Sequence, residues 1–448
     1  MSESSPRIQI RLTPIRLIFL IIGVIGLFWL VRQIVPIELP SLTSPRTDAN
    51  WSKPISIGGG RYGAGLSLHF WNGIPVGIAR GGVFYFLNKD DQWIEKTIPG
   101  FESGKNESCY PVAIDAHGPR AIFCDITYTN KTEAIFSFVD VTLTPDGNLK
   151  MEAKVPLQDY RKELFKNIPV ASGVKRDISF GCLEGTVIGS EFYIPYFARS
   201  EDITERITST GTHQQSGQDG PSESGFLYSS NGLSSWQKIR LDGSESFGTF
   251  HITDNVLYLL TVRWANLLSS TQLSVSNWSK PKLVTDTLKG SRFQVEGENK
   301  TMHLCWLDER LKRGLGFFIY GDWDVGGRNN LVFYRNYKDG KWSREKRLSG
   351  GLSYCGSPTM SVEGEKIVVA WDNYTRPYTR ASVYYTVSKN NGRTWSKIYK
   401  VENFEGTAGS SPSCKVILYH GIIHLFYDRS EFPDPDSNLM YQWRKFPE

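Results

Sequence analysis

The chain has 448 residues, more than the roughly 250 to 300 at which one hydrophobic core stops growing, so it must divide or repeat. With 40% hydrophobic and 22% charged residues it is not a mostly disordered chain, and 13 Trp, 21 Tyr, 24 Phe and 42 Gly against 5 Met favour twisted sheets and turns over a helical bundle. A net charge of +5 spread over so long a chain gives no basis for nucleic acid as a partner.

The first element is apolar. Leu17 to Val31 (LIFLIIGVIGLFWLV) carries no charge, and Arg16 and Arg32 close it at both ends. As a helix this run spans about 22 Å. Ile15, Ile34 and Val35 extend it, and the flanking arginines can snorkel toward the roughly 30 Å needed to cross a bilayer. A membrane helix over 16–35 is the first reading. A cleaved signal peptide is the competing one, against which Gln33 to Ser41 (QIVPIELPS) lacks a small-x-small cleavage site. Arg7, Arg11 and Arg16 precede the helix and Arg32 alone closely follows it, so the positive-inside bias makes residues 1–15 a cytoplasmic tail. The bulk of a single-pass membrane protein then lies in the periplasm or outside the cell. Residues 36–49, with Pro36, Pro40 and Pro45 among serines and threonines, read as an extended stalk.

From residue 50 onward one phrase recurs. Asn50 to Ile57 (NWSKPISI) returns as Asn277 to Val284 (NWSKPKLV), Lys341 to Leu348 (KWSREKRL) and Thr394 to Val401 (TWSKIYKV), with weaker copies around Trp93 and Trp236. Each internal copy follows a turn and a strand such as Val83 to Leu87. Before that comes a more apolar strand such as Ile367 to Asp372, and earlier still a small-residue strand such as Gly356 to Val362. Four strands per unit, with the small-residue strand innermost where blades converge, is the pattern of an all-β propeller. Fourth strands fall at Trp93, near Leu149 without a Trp, and at Trp236, Trp278, Trp342 and Trp395. Three further strands follow with no fourth, while Asn50 to Ile57 has the fourth-strand phrase and no strands before it. The two ends should therefore complete one shared sheet, giving a seven-bladed propeller over 50–448. Six blades is the alternative if the unit around Leu149 is irregular.

Six cysteines (109, 124, 182, 305, 355, 414) are too few for a disulfide framework in this length and read mostly as core residues. Cys109 and Cys124 flank a turn at His117 and Gly118 and are the one pair placed where a disulfide is an alternative to the core reading, given an oxidising compartment. Asn50, Asn106, Asn130, Asn277, Asn299 and Asn373 head glycosylation-type triplets.

Ser388 to Trp395 (SKNNGRTW) resembles the Asp-box of the sialidase and BNR-repeat propellers, with Asn390 where Asp is usual. Ser229 to Trp236 and Tyr337 to Trp342 resemble shortened or respaced copies. The resemblance extends over about 50–448 as a blade pattern and is specific only at 388–395. It implies a structural turn there, on the face away from any active site, whose Trp packs between sheets. It also implies the catalytic set of sialidases: three arginines on the substrate carboxylate, a Tyr nucleophile activated by a Glu, and an Asp acid, on six blades. Arg61 matches the first of those arginines in position, but Arg61, Tyr62 and Gly63 replace the Arg-Ile-Pro motif, and no spacing assigns the Tyr/Glu pair.

Propeller ligands bind at the axial mouth, where second-to-third-strand loops and blade connections converge. On the connections lie Arg61 and Tyr62, Tyr110, Arg176 and Asp177, Arg292, and Tyr354. At second-strand ends lie Arg80, Asp125, Arg199, Arg263, Asp308, Asp372 and Asp428. Asp308, Asp372 and Asp428 are candidate acids for catalysis. Arg61, Tyr62, Arg80, Arg199, Arg263, Arg292 and Tyr354 are candidate ligand contacts. For any single acid, closing the rim of its own blade is the simpler role; the ring of arginines as a whole calls for a carboxylate or another anion. Two long polar segments, Arg199 to Gly225 and Arg310 to Asn330, read as binding loops or lids, the second offering Phe317, Phe318, Tyr320 and Trp323 to a sugar. The scattered histidines lack metal-ligand spacing, and no cofactor is expected. Recognition of a carbohydrate or other anionic ligand is the first functional reading, a sialidase-like or other glycosidase the second, and a protein-interaction scaffold at the membrane the third.

Overall fold

The computed structural model describes residues 46–58, 66–79, 83–88, 92–99, 110–115, 118–128, 134–156, 174–182, 185–188, 190–207, 213–230, 233, 235–240, 248–253, 256–263, 266–298, 300–308, 331–350, 354–356, 358–375, 380–401, 414–429 and 438–448. The expected cytoplasmic tail, membrane helix and most of the stalk lie outside these residues, as does the segment 310–330. Among the described residues no helix is long and apolar enough to cross a membrane.

Blade 1 shows how sequence makes the unit. Ser67–Trp71 turns back into Ile74–Ala79 through Asn72 and Gly73, both at positive φ (52° and 71°), the two-residue hairpin geometry that Asn-Gly favours. Val83–Leu87 follows, buried at every position, and Trp93–Thr97 closes the blade with an exposed, charged strand. Inner strands are covered on both faces by neighbouring blades and so read as continuous apolar runs. Fourth strands meet water and turn polar.

There are seven such sheets. The first six begin in chain order at Ser67, Tyr110, Val174, Gly248, Leu288 and Tyr354, and the seventh consists of Lys415–Tyr419, Ile422–Arg429, Asn438–Lys445 and, from the other end of the chain, Ile55–Gly58. Ile55 pairs with Tyr441 and Ser56 with Met440, while the Ser52 amide donates to the Trp443 carbonyl at 2.8 Å. The ring is thus closed by the N-terminal segment, with seven blades. Leu149 starts the fourth strand of a regular second blade, so the six-bladed alternative falls.

Closure is equally plain in the packing. Seven apolar layers fill the seven gaps between consecutive blades, the last joining Phe426, Leu439 and Tyr441 of blade 7 to Leu66, Val83 and Tyr85 of blade 1. Strand alternation sends opposite faces into different layers: Leu304 and Trp306 face blade 4, Cys305 and Leu307 face blade 6. The recurrent tryptophans are the outer wedges of these layers. Trp93 packs on Tyr441, Trp236 on Phe138, Trp278 on Phe226, Trp395 on Tyr334 and Trp51 on Tyr385, each time an aromatic ring of the preceding blade's third strand. That repeated contact is why the Trp phrase recurs.

Two segments differ from the sequence reading. Arg46–Asp48, the end of the expected stalk, is a strand pairing in parallel with Tyr399–Val401 at the outer edge of blade 6. Arg199 to Gly225 is not an irregular loop. Glu191–Ile207 and His213–Ser229 run as a long antiparallel ribbon, flanked by Val174–Cys182. Arg176 and Asp177 therefore sit within a strand, opposite Asp202 and Glu201, and not on a blade connection.

Two histidines, His303 and His424, are buried in the blades, and His251 is half-buried. His303 shares a 2.7 Å hydrogen bond with the Tyr334 hydroxyl and His424 one of 2.8 Å with that of Tyr441. Burial pushes His303, His424 and His251 down to about 4, with His303 adding to the effect on His251. Below the unfolded value near 6.5 the unfolded chain takes up protons that the native ring refuses. Stability is therefore complete above pH 6.5 and is lost as pH falls toward 4, by on the order of 3 kcal/mol per histidine. Thermal melts should show most of the acid-side drop inside that window, with these imidazoles still neutral by NMR at pH 5.5; titration of all three near 6.5 contradicts it.

Candidate functional site

The mouth is the face where second strands hand over to third strands. The Arg263 to Asn266 and Asp308 to Leu331 pairs stand at those handovers in blades 4 and 5, and Asp428 to Leu439 stands one pair inside it in blade 7. In blade 6 Asp372 lies opposite Val383, three pairs before the end of the strand, and in blade 2 Asp125 lies opposite Ser137. Arg199 pairs with Ser179 and Ser222 near the base of the blade 3 ribbon, and its side chain is exposed. Arg61, Tyr62 and Arg80 lie outside the described residues, and the side chains of Arg263, Tyr354 and Asp428 are likewise not described.

The described acids are interior groups. Asp125, Asp308 and Asp372 have no exposed surface. Asp308 Oδ2 accepts hydrogen bonds from the Thr287 hydroxyl and, at 3.1 Å, from the Trp306 indole N–H. Trp306 and Asp308 are two residues apart on one strand and so share a face, which aims the indole at the carboxylate. Asp125 receives the Lys154 ammonium at 2.5 Å from the outer strand of its own blade. Asp372 lies against Gly356, whose amide donates to the Asp372 carbonyl at 2.8 Å; a Cβ at Gly356 would sit 2.0 Å from the carboxylate, so only glycine fits there. Asp308 and Asp125 thus tie their second strands to neighbouring segments through their carboxylates. Thr287, Trp306, Lys154 and Gly356 were not singled out from the sequence, and only the Trp306, Asp308 spacing could have signalled such a role.

Two expected residues come onto adjacent strands of blade 5. Leu288–Glu298 pairs with Thr301–Asp308 at Leu288 to Asp308, then breaks register and resumes at Phe293 to Trp306. Arg292 sits in that irregular stretch of the innermost strand, exposed, beside the strand that carries buried Asp308. In blade 6, Tyr354 pairs with Tyr374, two residues beyond Asp372.

Tyr/Glu pairs exist, but in the layers between blades. The Tyr196 hydroxyl donates to Glu223 Oε1 at 2.6 Å, and the Lys238 ammonium donates to the same oxygen at 2.9 Å. Burial first, then the hydrogen bond to Glu223, raise the Tyr196 phenol; Glu223 is held low by Tyr196 and Lys238 against the opposing effect of burial. Tyr193 and Tyr228 both donate to Glu191, at 3.0 and 2.7 Å. Tyr196 belongs to the apolar layer between blades 2 and 3, and its ring crosses Gly225. These phenols donate within the apolar layers on either side of blade 3.

The turn from Ser388 to Trp395 connects the third and fourth strands of blade 6. Ser388 Oγ accepts from the Gly392 amide at 2.9 Å, Asn390 Oδ1 accepts from the Thr394 amide at 2.8 Å, and Asn391 and Gly392 take positive φ. Asn390 thus does in this turn what a carboxylate could do, accepting a backbone N–H. The turn opens on the face opposite the mouth.

The fold defines the class: a seven-bladed, all-β propeller. No protein-family model and no curated protein matches the chain. Among solved structures, a Trypanosoma rangeli sialidase in complex with sialic acid matches with a TM-score of 0.42 and 11% identity over 79% of this chain and 57% of its own. A GH74 enzyme of Niastella koreensis matches with 0.46 and 12% over 87% and 55%, and a Synechocystis apocarotenoid oxygenase with 0.42 and 9% over 76% and 72%. The matches thus span less than two thirds of the sialidase and GH74 chains. The structural neighbours include sialidases and other propeller glycoside hydrolases, and the likeness is one of fold.

Proposed function

We propose that this propeller recognises a carbohydrate or other anionic ligand at its axial mouth and does not hydrolyse it. The observation that carries this reading is the contrast within blade 5: Asp308, a candidate acid, is wholly buried and engaged by Thr287 and Trp306, whereas Arg292 on the adjoining innermost strand is exposed. A general acid must reach the leaving oxygen. An enclosed carboxylate holds the rim instead and leaves the arginine to meet the ligand. The burial of the Tyr/Glu pairs supports the same reading. Arg61, Arg80, Arg199 and Arg263 complete the proposed cationic ring, with Tyr62 and Tyr354 as stacking groups. In this proposal the chain is anchored by residues 16–35 with the propeller outside the cytoplasm, 388–395 is an Asp-box turn, and no metal or cofactor takes part.

Binding of acidic and neutral glycans to an array, compared between the wild type and Arg292→Ala, tests it. The variant should bind its acidic ligand at least tenfold more weakly, on the order of 1.4 kcal/mol, while its thermal stability stays within about 0.5 kcal/mol, as for other exposed substitutions. Equal binding by both proteins contradicts the assignment of the mouth.

A further inference from the structure

Cys124 and Cys182 meet across the gap between blades 2 and 3. Cys124 lies on the second strand of blade 2, opposite Tyr110 of the first strand; Cys182 ends the first strand of blade 3. Both side chains are buried in one apolar layer with Val112, Phe138 and Phe192. The strands are held together there by the Gly185 amide donating to the Val112 carbonyl at 2.6 Å and the Cys182 amide donating to the Tyr110 hydroxyl at 3.3 Å. The Cys124 thiol beside it and burial raise the Cys182 thiol, and burial and both thiols raise the Tyr110 phenol. Two free thiols buried in one layer on different blades, 58 positions apart in the chain, are placed for a cross-link that no sequence spacing reveals.

We propose that Cys124 and Cys182 form a disulfide that staples blade 2 to blade 3, a modification that rests on the propeller's lying in an oxidising compartment. The chemistry is thiol–disulfide exchange with an external disulfide, such as oxidised glutathione or the oxidised form of a dithiol oxidoreductase. One cysteine thiolate attacks that disulfide and expels one thiol, forming a mixed disulfide. The second thiolate then attacks the protein sulfur of the mixed bond and expels the other thiol. The cysteines lose two protons and two electrons; the external disulfide takes up both and becomes two thiols. In the closed layer the Cys182 thiol is held protonated by the Cys124 thiol beside it and by burial, so the exchange belongs to folding, before blades 2 and 3 close on each other. Once made, the bond is shielded from reductants by the same layer.

The test is a refolding of the reduced full chain, in detergent, in a buffer of reduced and oxidised glutathione, which makes the outcome independent of where the protein resides. The product is denatured with iodoacetamide, without reductant, and digested with trypsin. The expected result is one linked species joining peptides 121–131 and 177–199 that dithiothreitol separates. With the bond present the melting temperature should stand about 5 °C above that of the reduced protein, a difference that disappears in the Cys124→Ser/Cys182→Ser double variant. Recovery of both peptides alkylated and unlinked overturns the proposal, and so does a link between 121–131 and 106–120, the Cys109 to Cys124 pairing that the sequence suggested.

Discussion

Replacing Asp48 by alanine is expected to lower the unfolding free energy by about 3 to 5 kcal/mol, although the residue lies in a segment whose composition reads as linker. Asp48 is buried at the end of the short parallel strand on blade 6, where its carboxylate pairs with Arg444 of blade 7 and accepts a hydrogen bond from the Tyr385 hydroxyl. Asn50 donates to the same side chain through its amide, at 3.1 Å, and its side-chain nitrogen, at 2.7 Å. Arg444 is nearly enclosed, lies over the Tyr385 ring and is lowered by burial, so removing Asp48 strands a charge in the interior. The surface pair Lys150 and Glu152 is the control: its side chains are 63% and 36% exposed, and Glu152→Ala should leave the denaturation midpoint nearly unchanged. The double variant Asp48→Leu/Arg444→Met should recover much of the loss, because apolar replacement of both partners removes the desolvation penalty. Chemical denaturation of the three variants separates an ion pair that holds the ring shut from one that only decorates it; an Asp48→Ala loss no greater than that of Glu152→Ala contradicts the assignment.

Trp71→Ala should be comparably damaging, by about 3 to 5 kcal/mol, and for a different reason. Trp71 has no exposed surface and sits at the junction of blades 1 and 2, with ring centroids 6.0 Å from Phe84 and Phe86 and 6.4 Å from Phe123. Truncation leaves a cavity walled by two rigid sheets that cannot collapse into it. Its indole N–H is buried without a hydrogen-bond partner among the described residues, so Trp71→Phe forfeits volume but also removes a desolvated donor. That variant should lose less than about 1.5 kcal/mol. Equal losses for Ala and Phe would show that the indole N–H matters, and that the layer is held by more than packing.

Much of this architecture could be read from the chain because each blade repeats the same physical problem. Inner strands buried on both faces give apolar runs, and the outer Trp of five blades meets a ring of the blade before it, so phrase and strand order recur together. The orphan phrase at Asn50 to Ile57 gave the closure for the same reason. Arg46–Asp48 carried no such signal: three polar residues pairing in parallel show neither alternation nor turn chemistry. The polar, glycine-rich part of the blade 3 ribbon, from Arg199 to Gly225, was illegible too, because it shows no apolar alternation and pairs through its backbone. The ends of the second strands located the acids at the mouth side. Their burial was not legible, since it depends on which neighbouring segment supplies a donor, as Thr287 does for Asp308 and Lys154 for Asp125. The Tyr196 and Glu223 pair and the placing of Cys124 and Cys182 in one layer appear only once strand register and blade order are known.

The claim that the mouth binds without hydrolysing is tested most directly by incubating the full chain with a panel of fluorogenic glycosides, sialosides included, alongside binding measurements on the same sugars. Saturable binding to an acidic glycan with no release of fluorophore above the buffer rate is the predicted result. Turnover that survives purification and is abolished by Asp372→Asn or Asp428→Asn, in protein that still melts as the wild type does, would contradict the account and make the mouth an active site.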